Sequence, residues 1–101
     1  MDYAENFEFS SDSADEMYVR FDVKTDLVDK DQDELFEDYV CACAVRVARD
    51  TFALLPIEKT HIAVEVESRI VIDVTFDRER FGKIKFTYSD PSDIIDYFGK
   101  F

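Results

Sequence analysis

Residues 60–76, THIAVEVESRIVIDVTF, decide the fold of this chain. Apolar residues alternate with polar ones along both halves, which is the period of β-strands that bury one face. The two halves meet near Ser68, so the stretch predicts a β-hairpin with its apolar side chains on one face. The predicted cross-strand pairs on that face are Val64 with Ile72 and Val66 with Ile70.

A long helix precedes this hairpin. The helical pattern runs from about Asp31 to Leu55, and Pro56 ends it. Its apolar residues spread over an arc of roughly 200°, about twice the width that a helix lying on one sheet needs. The surplus predicts a second contact, with another helix, with the N-terminal segment or with another subunit.

The remaining segments complete an α+β pattern. Residues 17–24 alternate as a strand, and Asp90 followed by Pro91 is typical of a helix start. Arg78–Lys85 is ambiguous: it is a helical turn before a strand at Ile84–Tyr88, or a continuing strand kinked at Gly82. We therefore expect an antiparallel sheet of three to five strands, packed on one long central helix, with a short C-terminal helix.

The chain length of 101 residues predicts one domain. We expect residues 17–101 to form it. Residues 1–16 are an acidic N-terminal segment, which is either an edge strand or disordered.

Acidic residues are concentrated in two stretches. The chain has 24 Asp and Glu against 12 Lys and Arg, a formal charge of −12. Residues 1–16 carry six acids and no base, and residues 29–38 carry six acids with Lys30 alone. A localised charge of this kind selects partners, so the second stretch predicts an interaction patch. The acidic patch consists of Asp29, Asp31, Asp33, Glu34, Glu37 and Asp38.

The charge also bounds the partners. Negative charge disfavours direct binding to nucleic acid and to anionic lipid, and it favours a basic protein partner. The wide apolar arc adds the expectation of a homodimer through the helix or a sheet edge. With no span of roughly 20 apolar residues and no secretory signal, we expect no membrane partner and a cytoplasmic location.

Motifs for catalysis are weak. Glu65, Glu67 and Asp73 fall on one hairpin and could hold Mg²⁺, but Glu67 and Arg69 stand where magnesium nucleases place a supporting lysine. The more economical interpretation is a solvated strand face. His61 is a possible general base without an evident nucleophile nearby in sequence.

The cysteines and glycines add no chemistry. Cys41 and Cys43 point to different sides of a helix, cannot bridge each other there, and are interpreted as small core residues. With two glycines no phosphate loop is expected. We predict no catalytic residue, no metal and no cofactor.

Several segments resemble a C-terminal module of uncharacterised bacterial proteins. They are Asp38–Cys43, Arg46, Phe52–Pro56 and Asp90–Asp93. The resemblance covers about half of the chain and omits its acidic N-terminus. It implies a bacterial or phage origin and carries no assigned activity.

These observations favour a non-catalytic bacterial or phage protein-interaction domain with an acidic docking surface. One alternative is an acidic inhibitor that mimics nucleic acid and occupies a nuclease or DNA-binding protein. A second alternative is a metal-dependent hydrolase built on the hairpin carboxylates.

Overall fold

The molecule is built on one long helix, with two strands before it in the chain and two strands after it. The computed structural model describes residues 4–23, 33–84 and 90–98. The elements in chain order are β1 (Ala4–Ser13), β2 (Glu16–Val23), α1 (Asp33–Leu54), β3 (Lys59–Val66), β4 (Arg69–Asp77), α2 (Arg78–Gly82) and α3 (Pro91–Phe98). The predicted α+β class, with one long helix and a short C-terminal helix, is confirmed. The strand predicted at Ile84–Tyr88 lies almost wholly outside the described residues.

The described strands form one sheet in the order β1-β2-β3-β4. Its outer pairs, β1 with β2 and β3 with β4, are antiparallel, whereas β2 and β3 run parallel. The sheet is therefore mixed, which corrects the expectation of an antiparallel sheet. The reason lies in the connection, because the chain passes through α1 between β2 and β3, and a helical crossover returns the chain in the same direction.

The hydrophobic core lies between one face of the sheet, here called the inner face, and the helices. Val19, Phe21, Ile62, Val64 and Phe76 are almost completely buried there. Helix α1 packs against β3, β4 and α3. Helix α3 thus covers part of the wide apolar arc of α1 within the chain.

The turn between β3 and β4 differs in detail from its prediction. Val64 pairs with Ile72 as expected, but Val66 pairs with Arg69, and Glu65 with Ile70. The register shifts by one residue because the two-residue turn is tight: Glu67 and Ser68 have φ angles of 52° and 68°. Two successive positive φ angles match the twist of a hairpin. The predicted pair of Val66 with Ile70 is therefore wrong.

The basic stretch after β4 serves the fold. Arg78 reaches the end of α1, where it donates hydrogen bonds to the carbonyl oxygens of Phe52, Leu55 and Ile57 at 2.5–2.9 Å. These bonds satisfy carbonyls that a helix end leaves unpaired. In α2, Arg80 pairs with Asp77, the residue that caps the helix. Arg78 therefore ties α2 to the end of α1, and Arg80 ties α2 to the end of β4.

Candidate functional site

The second face of the sheet, here called the outer face, carries polar and charged side chains. In β2, β3 and β4, residues adjacent to the buried ones point away from the core because side chains alternate along a strand. Tyr18 is 38% exposed, and Arg20 and Asp73 are exposed as well. Among the described residues, the helices belong to the core on the inner face. The outer face is therefore a surface.

Pairing across the sheet arranges these side chains in rows perpendicular to the strands. Each row takes one residue from each strand, in the order β1 to β4. The Tyr18 row contains Ser10, Tyr18, His61 and Thr75; the Arg20 row contains Glu8, Arg20, Ala63 and Asp73; the Asp22 row contains Glu5, Asp22, Glu65 and Ile70. These rows hold five carboxylates, those of Glu5, Glu8, Asp22, Glu65 and Asp73, against the one guanidinium of Arg20.

Carboxylate side chains surround Arg20. Its guanidinium forms a salt bridge with Glu65 on the neighbouring strand. The hydrogen bond and charge of Glu65 raise the pKa of Arg20, and the charges of Glu8 and Asp22 raise it further against the effect of desolvation. Three carboxylates thus share one cation, and the face keeps a net negative charge.

A bulge in β1 brings the N-terminal acids onto this face. Asn6 has a φ of 57°, and two residues of β1 stand opposite one of β2 between the pairs of Glu5 and Glu8. Asparagine tolerates this left-handed conformation better than most residues. Its side-chain amide donates a 2.8 Å hydrogen bond to Asp22. The bulge lets Phe7 stack on Phe21 at the core while both glutamates still face outward.

His61 connects the strands at one side of the face. Its Nδ1 lies 2.8 Å from the hydroxyl of Thr75, and its Nε2 lies 2.9 Å from the carboxylate of Glu16. The ring also stacks on Tyr18 with a centroid distance of 4.2 Å. The contact with Thr75 was not predicted, because Thr75 is distant in sequence and is brought to His61 by strand pairing. With both ring nitrogens occupied, His61 fixes the position of Tyr18.

A groove of about 580 Å³ runs across the centre of the outer face. Its floor is low at Ala63, because a methyl group stands there between the longer side chains of Arg20 and Asp73. Tyr18 and Ile70 add apolar surface, and Glu8 lines the groove from β1. The groove is open and shallow, which suits a polypeptide segment better than an enclosed small molecule.

The structure describes only part of the predicted acidic patch. Asp29 and Asp31 lie outside the described residues. Asp33 and Glu34 belong to the first turn of α1. Glu37 and Asp38 are exposed on α1.

The three carboxylates considered for catalysis have different surroundings. Glu65 binds Arg20, Glu67 is in the hairpin turn, and Asp73 pairs with Ala63. In the described residues no three His, Cys, Asp or Glu side chains are placed to hold a metal ion.

Both cysteines are buried thiols in α1 and form no disulfide. Burial raises the pKa of the Cys43 thiol to about 11. This thiol is therefore protonated near neutral pH and is a poor nucleophile.

Comparisons with known proteins do not assign the chain. No protein family, curated protein or solved structure matches it. The resemblance to a bacterial C-terminal module stays a prediction. None of the described helices has the length and apolarity needed to cross a bilayer.

Proposed function

We propose that this protein is a non-catalytic protein-interaction domain that binds a basic partner through an acidic docking surface. The observation that carries the proposal is the outer face, where five carboxylates and one guanidinium lie on three adjacent rows. Complementary charge accelerates encounter and excludes partners of the wrong sign. A negative face therefore selects a positively charged protein surface.

The apolar residues of the same face supply contact area. Tyr18 and Ile70 are 38% and 48% exposed. Exposed aromatic residues bordered by charges are typical of binding surfaces, in which a few anchors provide most of the binding energy.

The experiment compares two charge reversals of equal size. Immobilised wild-type protein is incubated with lysate of its host, and the bound proteins are quantified at 50 and 500 mM salt. Glu8→Lys with Asp73→Lys changes the outer face, and Glu37→Lys with Asp38→Lys changes the predicted patch on α1. We expect a basic partner that is lost at high salt and lost in the outer-face variant.

Each other result has a defined meaning. Loss of the partner only in the α1 variant would move the docking surface to the predicted patch. A partner that both folded variants retain would refute docking through acidic side chains. A captured nuclease or DNA-binding protein would favour the nucleic-acid mimic.

A homodimer remains a separate prediction. Because α3 covers part of the wide arc of α1, that arc no longer requires a second subunit. Two copies of the acidic outer face would also repel each other. Sedimentation at high micromolar concentration tests the dimer.

A further inference from the structure

We infer that the partner lies across the strands of the outer face as an extended segment with two basic residues four positions apart. This inference rests on the proposed function and specifies the partner chemically. It is argued from the Arg20 row, which spans the sheet from Glu8 on β1 to Asp73 on β4.

The spacing of the carboxylates sets the spacing of the cations. Glu8 and Asp73 are separated by three strand intervals, about 14 Å at the usual distance between paired strands. One guanidinium is too small to bridge that distance. In an extended chain, residues four apart are about 13–14 Å from each other and point to the same side. Two cations at that spacing therefore meet both carboxylates.

The middle of the Arg20 row determines which kind of residue the partner segment can carry between its two cations. The charge of Arg20 is balanced by Glu65, so the middle of the row does not attract a third cation. The small side chain of Ala63 leaves a depression in the floor of the groove. The central residue of the segment points into this depression, beside Tyr18 and Ile70. A small apolar side chain such as valine fills it without placing a cation against Arg20.

Backbone pairing at the edge of the sheet is a poorer mode for this partner. Strands β1 and β4 are the two edges of the described sheet. The pairing of β1 is irregular between Glu5 and Glu8 and between Ser10 and Ser13, and the pairing of β4 is irregular opposite Val64 and Glu65. Bulges on an edge strand hinder the addition of another strand. Side-chain docking across the face avoids this obstacle.

The test uses synthetic peptides and the whole protein. The probe is an acetylated nine-residue peptide with arginines at positions 3 and 7, valine at position 5 and threonine or glycine elsewhere. Binding is followed by NMR, through the methyl group of Ala63 and the amides of β2 and β3, at low salt. We expect saturable shifts centred on the Arg20 row.

Matched peptides separate spacing from charge. Replacing both arginines with citrulline removes the charge at nearly constant shape and should weaken binding about tenfold. Moving the arginines to positions 3 and 5 keeps the charge and should also weaken binding, because only one carboxylate is then met. Equal affinity of the two arginine peptides would overturn the inference.

Matched protein variants separate the groove from the general charge. Ala63→Leu fills the depression without changing any charge and should weaken binding about tenfold through steric exclusion. Ala63→Val is the milder variant, and a thermal melt checks that both fold. If Ala63→Leu binds like wild type while Glu8→Lys with Asp73→Lys does not, this inference fails and the acidic docking surface stands. If no peptide gives saturable shifts, the inference fails, and the lysate experiment alone decides the proposed function.

Discussion

The two faces of the sheet are built from the same strands but differ in burial and in charge. On the inner face, Phe21, Ile62, Val64 and Phe76 are essentially inaccessible to solvent, and packing determines which residues fit. On the outer face, Arg20 and Asp73 remain exposed, and charge determines what approaches. Stability should therefore depend on the inner face, and recognition on the outer face.

Neighbouring residues of β4 give the strongest test of this contrast. Phe76 is fully buried and contacts the rings of Phe81 and Phe98, whereas Thr75 points outward to His61. Phe76→Ala should lower the free energy of unfolding by about 3–5 kcal/mol. Thr75→Ala should lower it by about 1 kcal/mol, the value of one hydrogen bond. Urea denaturation measures both, and equal losses would refute the division between the faces.

Two arginines provide the next comparison. Arg78 donates hydrogen bonds to carbonyl oxygens of Phe52, Leu55 and Ile57, which its removal would leave unsatisfied. Arg78→Ala should therefore cost about 2–3 kcal/mol. The side chain of Arg20 is half exposed and makes one salt bridge, so Arg20→Ala should lower the free energy of unfolding by less than Arg78→Ala does. A larger loss from Arg20→Ala would mean that the outer face is structural.

The alternation of apolar residues predicted the inner face well. The predicted strand at residues 17–24 and the hairpin at 60–76 correspond to β2, β3 and β4, because a strand that buries one face must alternate. The predicted helix from Asp31 to Leu55 closely matches α1 for the same reason, with a helical period. The parallel pairing of β2 with β3 was not predicted, because alternation gives no information on strand direction.

The candidate site was harder to predict from the sequence. Glu5 and Glu8 belong to the acidic N-terminal stretch, yet they join Asp22, Glu65 and Asp73 through pairing across the sheet. Only strand order and register bring these residues together, and the bulge at Asn6 changes the register. The alternating pattern predicted that the acidic residues of β3 and β4 lie on one strand face, but it did not predict their alignment with β1.

The hairpin turn between β3 and β4 belongs to neither face. A substitution in this turn should have a smaller effect on the free energy of unfolding and should raise it. Ser68 has a φ of 68°, a conformation that costs a residue with a side chain and suits glycine. Ser68→Gly should raise the free energy of unfolding by about 0.5–1 kcal/mol, since relief of strain exceeds the entropy that glycine adds to the unfolded chain. Ser10→Gly in β1 is the matched control and should destabilise the protein. A destabilising Ser68→Gly would contradict the described turn.

Asp77, at the end of β4, gives the smallest expected effect and one that depends on pH. Partial burial acts to raise the pKa of Asp77, but hydrogen bonds from the amide and guanidinium of Arg80, with its charge, outweigh burial and hold that pKa below its usual value. A carboxyl with a lowered pKa in the folded state stabilises the protein above its unfolded pKa, about 3.9. This contribution is lost as the pH falls through the folded pKa.

Asp77→Asn should therefore reduce the free energy of unfolding by about 0.5 kcal/mol at pH 7, a value discounted for solvent screening. The difference from wild type should shrink below pH 4, where the wild-type carboxyl takes up its proton. Urea denaturation between pH 3 and pH 7 measures the difference, and the same substitution in an Arg80→Ala background should show a smaller one at pH 7. A difference that widens on acidification would contradict the described contact, because it would require a carboxyl that is stabilised in its protonated form.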